Sequence, residues 1–310
     1  MVGGNKNMSK ENTAVTKKKI KRCKEDVVFD AACFIILTLV LFVVAYPLYW
    51  VIISSISAPS AVSSGKVLLH PIGFTLKGYA EVFKNDQVMR GFLNSLIITF
   101  CGVMVNLIVT LPTSYALSRS NFSGKKPITI FYLITMFFGG GLIPTYLVIQ
   151  RLQMLNTIWA LILPGCLSVY NMIVARTFFK SNISEELYEA AEIDGCTQAR
   201  FFFQIALPLS KAIIAILVLY YGVGHWNSYF SALVYISDKA KYPLQLVLRN
   251  ILITNQTALS QTATTAAARA ALQEKQQLID VMKYSLIIIS SIPVLVMYPL
   301  VQKHFVKGVM

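Results

Sequence analysis

Six stretches of this chain contain no Asp, Glu, Lys or Arg: residues 31–53, 91–118, 127–150, 152–175, 212–237 and 284–302. Each is rich in Leu, Ile, Val and Phe, and each is close to the ~20 residues that a helix needs to cross a hydrocarbon core of about 30 Å. Backbone in lipid must satisfy its own polar groups, so apolar runs of this length are read as helices. The expected fold is an all-α integral membrane protein with six transmembrane helices. A seventh uncharged run, 250–268, is dominated by Thr, Gln, Asn and Ser. Its polar side chains would be desolvated in lipid, so it is placed outside the membrane.

Only 14% of the residues are charged, against about 25% in soluble domains. The formal net charge is nevertheless +14, which suits either a nucleic-acid binder or a membrane protein with basic inner loops. The position of the bases decides. Lys17, Lys18, Lys19, Lys21, Arg22 and Lys24 lie directly before the first apolar run, with no interleaved aromatics and no recognition helix. Residues 1–28 are read as a basic cytoplasmic tail beside lipid headgroups, and 29–310 as the six-helix domain with both termini cytoplasmic. No nucleic-acid partner is expected. The run 31–53 is longer than the roughly 7–15 apolar residues of a signal peptide and lacks a small-x-small site before Pro47 and Tyr49, so it reads as a retained anchor helix.

Catalytic patterns are missing from the sequence. Cys23, Cys33, Cys101, Cys166 and Cys196 stand singly, and His70, His225 and His304 are far apart. No CxxC pair, HExxH or GxxxxGK[ST] occurs, so no catalytic residue, metal site or nucleotide site is expected in this chain. The six runs also lack the intramembrane Asp, Glu, Lys and Arg that mark ion-coupled carriers. The source of energy is therefore expected in another chain.

One inner loop, about 180–208, has a distinct design. Ser184 is a good N-cap, and Glu185 and Glu186 follow in the first turn. Leu187, Ala190, Ala191 and Asp194 share a narrow face, and the small alanines allow another surface to come close. Glu185, Glu189 and Glu192 share a second face suited to a basic partner. Gly195 ends the helix, Thr197 can cap a second short one, and Pro208 is expected to open the fifth span.

Glu189-Ala190-Ala191, three residues, Gly195, nine residues, then Ile205-Ala206-Leu207-Pro208 resembles the EAA signature of binding-protein-dependent ABC importer permeases. Glu-Ala-Ala-x-Ile-Asp-Gly, here Glu189 to Gly195, is similar to the carbohydrate, MalG-like branch. So are Gly141 to Tyr146, Leu155 to Pro164, Trp226-Asn227-Ser228-Tyr229 and Tyr298 to Lys303, most narrowly in its LplC-like oligo- and polysaccharide permeases. The resemblance implies a type I ABC importer (MetI-like) permease fold with cytoplasmic coupling helices, in a bacterial plasma membrane. The implied partners are a second homologous permease, two ATP-binding subunits that hold ATP and Mg, and an extracellular solute-binding (lipo)protein. The implied cargo is an oligosaccharide.

Carried over by position, Glu189 would contact the ATPase, Ala190 and Ala191 would let the helix seat, and Gly195 would make the turn, with Asp194 beside it in the coupling loop. Pro208 would fix the exit into span five, and Ile205 and Leu207 complete the coupling-loop set. Family members usually continue beyond Lys307-Gly308-Val309-Met310, so a tail contact with the ATPase is not part of the expectation.

Amide, hydroxyl and aromatic side chains in the spans are candidates for the sugar path: Asn94, Thr99, Asn106, Tyr170, Asn171, Trp226 and Asn227. The competing role for the polar ones is hydrogen bonding between packed helices, and for Trp226 an interfacial anchor. The extracellular loop, about 238–280, contains an Ala-rich part (262–277) with helical propensity, a surface for the solute-binding protein. The alternative function is an autonomous secondary carrier or channel for a polar solute.

Overall fold

The computed structural model describes residues 24–258 and 266–308. Most of the basic tail, Cys23 included, and residues 259–265 lie outside the described residues. Every regular element among the described residues is helical. The chain divides into two compact units, Met1–Tyr49 and Trp50–Met310.

The first unit holds most of helix α1 (Lys24–Ser55), which starts seven residues before the uncharged run. Phe34, Leu37, Leu41 and Phe42 stand fully out from it. Apolar surface of this extent is stable only against lipid or another apolar surface.

The second unit is organised around α2 (Asp86–Ser118), whose 33 residues rise about 50 Å at 1.5 Å each. Asn85 caps its start, accepting from the Gln87 and Val88 amides at 3.0 and 3.3 Å. The other spans were expected as continuous runs, and several are bent. The third is split into α3 (Lys125–Phe137) and α4 (Leu142–Arg151), which meet at 113°. Gly139-Gly140-Gly141 lies between them, and Gly141 takes φ +84°, a conformation closed to most side chains. In the fourth, residues 152–158 form a connection with Gln153 and Asn156 at positive φ. The turn Trp159–Gly165, with Pro164 early in its last, 3-10 stretch, then meets α5 (Val169–Asn182) at 52° across residues 166–168. α5 also runs past the uncharged segment to include Arg176 and Lys180.

Two short helices follow, α6 (Glu185–Ile193) and α7 (Gln198–Phe201). A five-residue π segment, Phe202–Ala206, leads into the turn Leu207–Leu209. Pro208 sits in that turn and does not open the fifth span as expected. α8 (Lys211–Trp226) starts beyond Ser210, and the two stretches are bent by 80°. π segments and prolines are the usual causes of such kinks. α9 (Leu244–Ala258) follows. α10 (Ala266–Gly308) is continuous, so the Ala-rich part is helical from Ala266 on and runs into the last span.

Among the described residues, three helices, α1, α2 and Gln276–Pro299 within α10, are individually long and apolar enough to cross a membrane. Around α2, the closest packing partners are α8 and α5. At one end, a buried cluster of Leu111, Tyr115, Phe179, Tyr188, Phe201 and Phe202 joins α2, α5, α6 and α7. It fixes where the 184–208 loop sits.

Candidate functional site

The loop is built as its sequence suggests, by capping. Ser184 Oγ accepts from the Leu187 amide and Thr197 Oγ1 from the Arg200 amide, each at 3.3 Å. Between the two caps, Gly195 turns the chain with φ +73°, which an L side chain adopts only with strain.

Tyr188 anchors α6. It is buried, and its ring meets Phe201 edge-on at 5.3 Å. Ala191, half-buried, packs on the same cluster with Ile205 and Leu207. At 100° per residue, Glu186, Ala190 and Ile193 therefore lie on the opposite face. Ile193 is 87% exposed, an apolar side chain projecting beside Ala190. Leu187, Glu189 and Asp194 flank it, also exposed. Two expectations change. Ala190 and Ala191 do not share a face, because Ala191 packs inward while Ala190 is exposed. The acidic face is also split. Glu185 Oε2 accepts from Arg119 Nη2 at 2.7 Å and Oε1 from the Ser120 amide at 3.2 Å, whereas Glu189 and Glu192 remain on the surface. Nothing in the sequence marks Arg119 as a partner of Glu185, since the two are 66 positions apart.

The candidate path residues divide into three groups. Asn106 is fully buried, and its Nδ2 donates to the Gly165 and Cys166 carbonyls at 2.8 and 2.9 Å. Its Oδ1 lies 2.7 Å from His225 Nε2, and because an amide oxygen only accepts, that imidazole nitrogen carries the hydrogen. Every polar group of Asn106 is engaged. Four residues on, Thr110 shares a 2.7 Å bond with the Tyr221 hydroxyl, which also accepts from the Ser168 amide. These bonds supply partners for backbone freed by the break before α5. His225, which the sequence shows only as a histidine far from the other two, is a member of this network, and its room comes from Gly102, where a Cβ would stand 2.5 Å from Nε2.

A second group holds outlying segments in place. Asn94 donates to the Ala240 and Tyr242 carbonyls at 2.8 and 3.1 Å. Trp226 is 2% exposed, donates to the Ser290 carbonyl at 2.9 Å and meets Phe92 edge-on. It is a core residue joining α8 to α10, neither an interfacial anchor nor an open wall of a path. The third group keeps accessible or unused polar groups. Tyr170 is 56% exposed, Asn227 is exposed at the end of α8, and Thr99 Oγ1 is buried without a partner. Asn171 is buried in the first turn of α5.

No group of three or more His, Cys, Asp or Glu among the described residues is arranged to hold a metal ion.

No protein-family model matches the chain. Curated relatives do. Over 280 residues, 90% of this chain and 96% of the relative, it is 35% identical to the polygalacturonan/rhamnogalacturonan transport system permease protein YtcP of Bacillus subtilis. It is 38% identical to protein LplC of the same organism over 91% of this chain and 93% of that one. The galactooligosaccharides transport system permease protein GanQ, also from Bacillus subtilis, is 29% identical over 89% and 92%. Among solved structures, a chain of a bacterial ABC transporter involved in the import of the acidic polysaccharide alginate superposes with a TM-score of 0.82 at 27% identity, covering 92% of this chain and 99% of that one. With six apolar runs, an all-helical fold and relatives matched along nearly their whole length, this membrane-embedded chain belongs to the carbohydrate ABC transporter permeases.

Proposed function

We propose that this chain imports an oligosaccharide as one of two homologous permeases in a complex with two ATP-binding subunits and an extracellular solute-binding protein. It crosses a bacterial plasma membrane six times, each bent pair counting as one span, with both termini cytoplasmic. α6 is its coupling helix. The observation that carries this reading is the outward face of α6, where Ile193 projects beside Ala190 and Glu189 while Tyr188 and Ala191 hold the opposite face to the protein's own core. An exposed apolar knob rimmed by acids suits a concave partner with an apolar floor and a basic edge. ATP and Mg belong to the partner ATPases. Movement of α6 there shifts the helices between inward- and outward-facing arrangements.

An oligosaccharide cargo is supported by the relatives, whose names specify polygalacturonan/rhamnogalacturonan, galactooligosaccharides and alginate. Tyr170, Asn171, Thr99 and Asn227 are the path residues with groups left for sugar hydroxyls. Asn94, Asn106 and Trp226 support the path through the helices they join.

The test is Glu189→Lys in the complete complex. Co-purification of the ATPase and uptake of labelled oligogalacturonides should both fall sharply. Normal assembly and uptake would overturn the coupling role, and uptake without any ATPase would make the chain a carrier in its own right.

A further inference from the structure

Arg119 stands one residue past α2, at the point where that helix meets the loop. Its guanidinium bonds Glu185 of α6 at 2.7 Å and lies 4.2 Å over the Tyr188 ring, with the Tyr115 and Phe201 rings at 5.8 and 6.0 Å. Its side chain is only 11% exposed. α2, α6 and α7 therefore each contribute a ring to one cation. The adjacent Ser120 amide takes the second oxygen of Glu185. Arg176 of α5 donates to the Leu117 carbonyl at 3.0 Å, and Lys125 donates to the Arg119 and Ser120 carbonyls, so the end of α2 is also tied to α5 and to the start of α3. A cavity of about 350 Å³, lined by Pro112, Tyr115, Arg119, Phe122, Tyr188 and Phe202, lies beside this joint. The covalent exit from the loop is less direct. It passes through a π segment and an 80° bend before reaching α8.

We propose that Arg119 is a positioning residue that makes α6 and α2 move as one body. Displacement of α6 passes through the Arg119–Glu185 bond and the Tyr188 ring into α2, which carries Asn106 and Thr110, and not chiefly through the bent chain into α8. A guanidinium is suited to this because it bonds a carboxylate and stacks on a ring at once, whereas a lysine ammonium does not reproduce both contacts. The proposal rests on α6 being the coupling helix and adds the route by which its motion leaves the loop.

The test uses the complete complex in proteoliposomes carrying Arg119→Lys, Arg119→Gln or Glu185→Gln. ATPase co-purification and the number of ATP hydrolysed per sugar imported are read separately. Assembly is expected to stay at the parental level while ATP per sugar rises about tenfold, the scale of an ordinary coupling free energy, and lysine is expected not to rescue. An unchanged ratio in all variants overturns the proposal. Loss of assembly in step with import also overturns it, because Arg119 would then only shape the docking surface. Should Arg119→Gln fail to accumulate, the milder Glu185→Gln decides by the same ratio. Failure of the underlying reading shows elsewhere, as normal assembly of Glu189→Lys.

Discussion

His225 donates its Nε2 hydrogen to Asn106 Oδ1 across 2.7 Å, and the same amide supplies both its hydrogens to the Gly165 and Cys166 carbonyls. One side chain thus joins α2, α8 and the break before α5. Asn106→Leu keeps the volume but leaves two carbonyls and an imidazole without it, at about 1–3 kcal/mol for each buried group left unpaired and less where neighbours re-pair in the membrane. Thermal unfolding in detergent should show a clearly lowered midpoint. An unchanged midpoint would mean that water or other groups replace the amide.

Gly102 makes room for that imidazole. Gly102→Ala would place a methyl inside contact distance of the ring, and overpacking of this kind costs about 1–3 kcal/mol. His225→Ala should relieve the clash, so the double variant is expected to be less damaged than the sum of the two singles. Additive losses in a double-mutant cycle would contradict this geometry.

At Gly195 the backbone itself is the constraint, with φ +73° and open space around an added Cβ. Gly195→Ala should lose about 1 kcal/mol from the left-handed conformation alone, Gly195→Asn less, and Gly195→Val most. Hydrogen exchange at the Asp194 and Cys196 amides, which bond the Ala190 and Ala191 carbonyls, measures the order. Equal exchange in all three would show that the turn tolerates side chains.

Ile193→Asp should leave the isolated chain as stable as before, because the side chain is 87% exposed and exposed substitutions usually stay within about 0.5 kcal/mol. ATPase co-purification should nevertheless drop. Retained assembly would remove Ile193 from the docking face.

Trp226 and Tyr170 were grouped by sequence and are separated by burial. Trp226→Ala, which empties a packed site between α8 and α10, should cost about 3–5 kcal/mol. Tyr170→Ala should leave the unfolding midpoint unchanged and alter the KM for uptake. A stable Trp226→Ala protein, or an unfolded Tyr170→Ala one, would reverse these roles.

The apolar runs and the loop caps are legible in the sequence because both depend on neighbours in the chain. Charge-free length limits where a helix can cross lipid, and Ser184, Gly195 and Thr197 act on amides and dihedrals within three residues of themselves. The bends were partly legible, since Gly139-Gly140-Gly141 and Pro164-Gly165 stand inside two runs that length alone treats as unbroken. Packing was not legible. Whether Asn106 faces a sugar path or a carbonyl, whether Glu185 faces a partner or Arg119, and whether Trp226 faces a membrane surface or Ser290 depend on residues 59 to 66 or more positions away. The same amide, carboxylate or indole serves either purpose. Only the tertiary arrangement brings its partner within hydrogen-bond range, and a desolvated polar group must then take whichever partner is there.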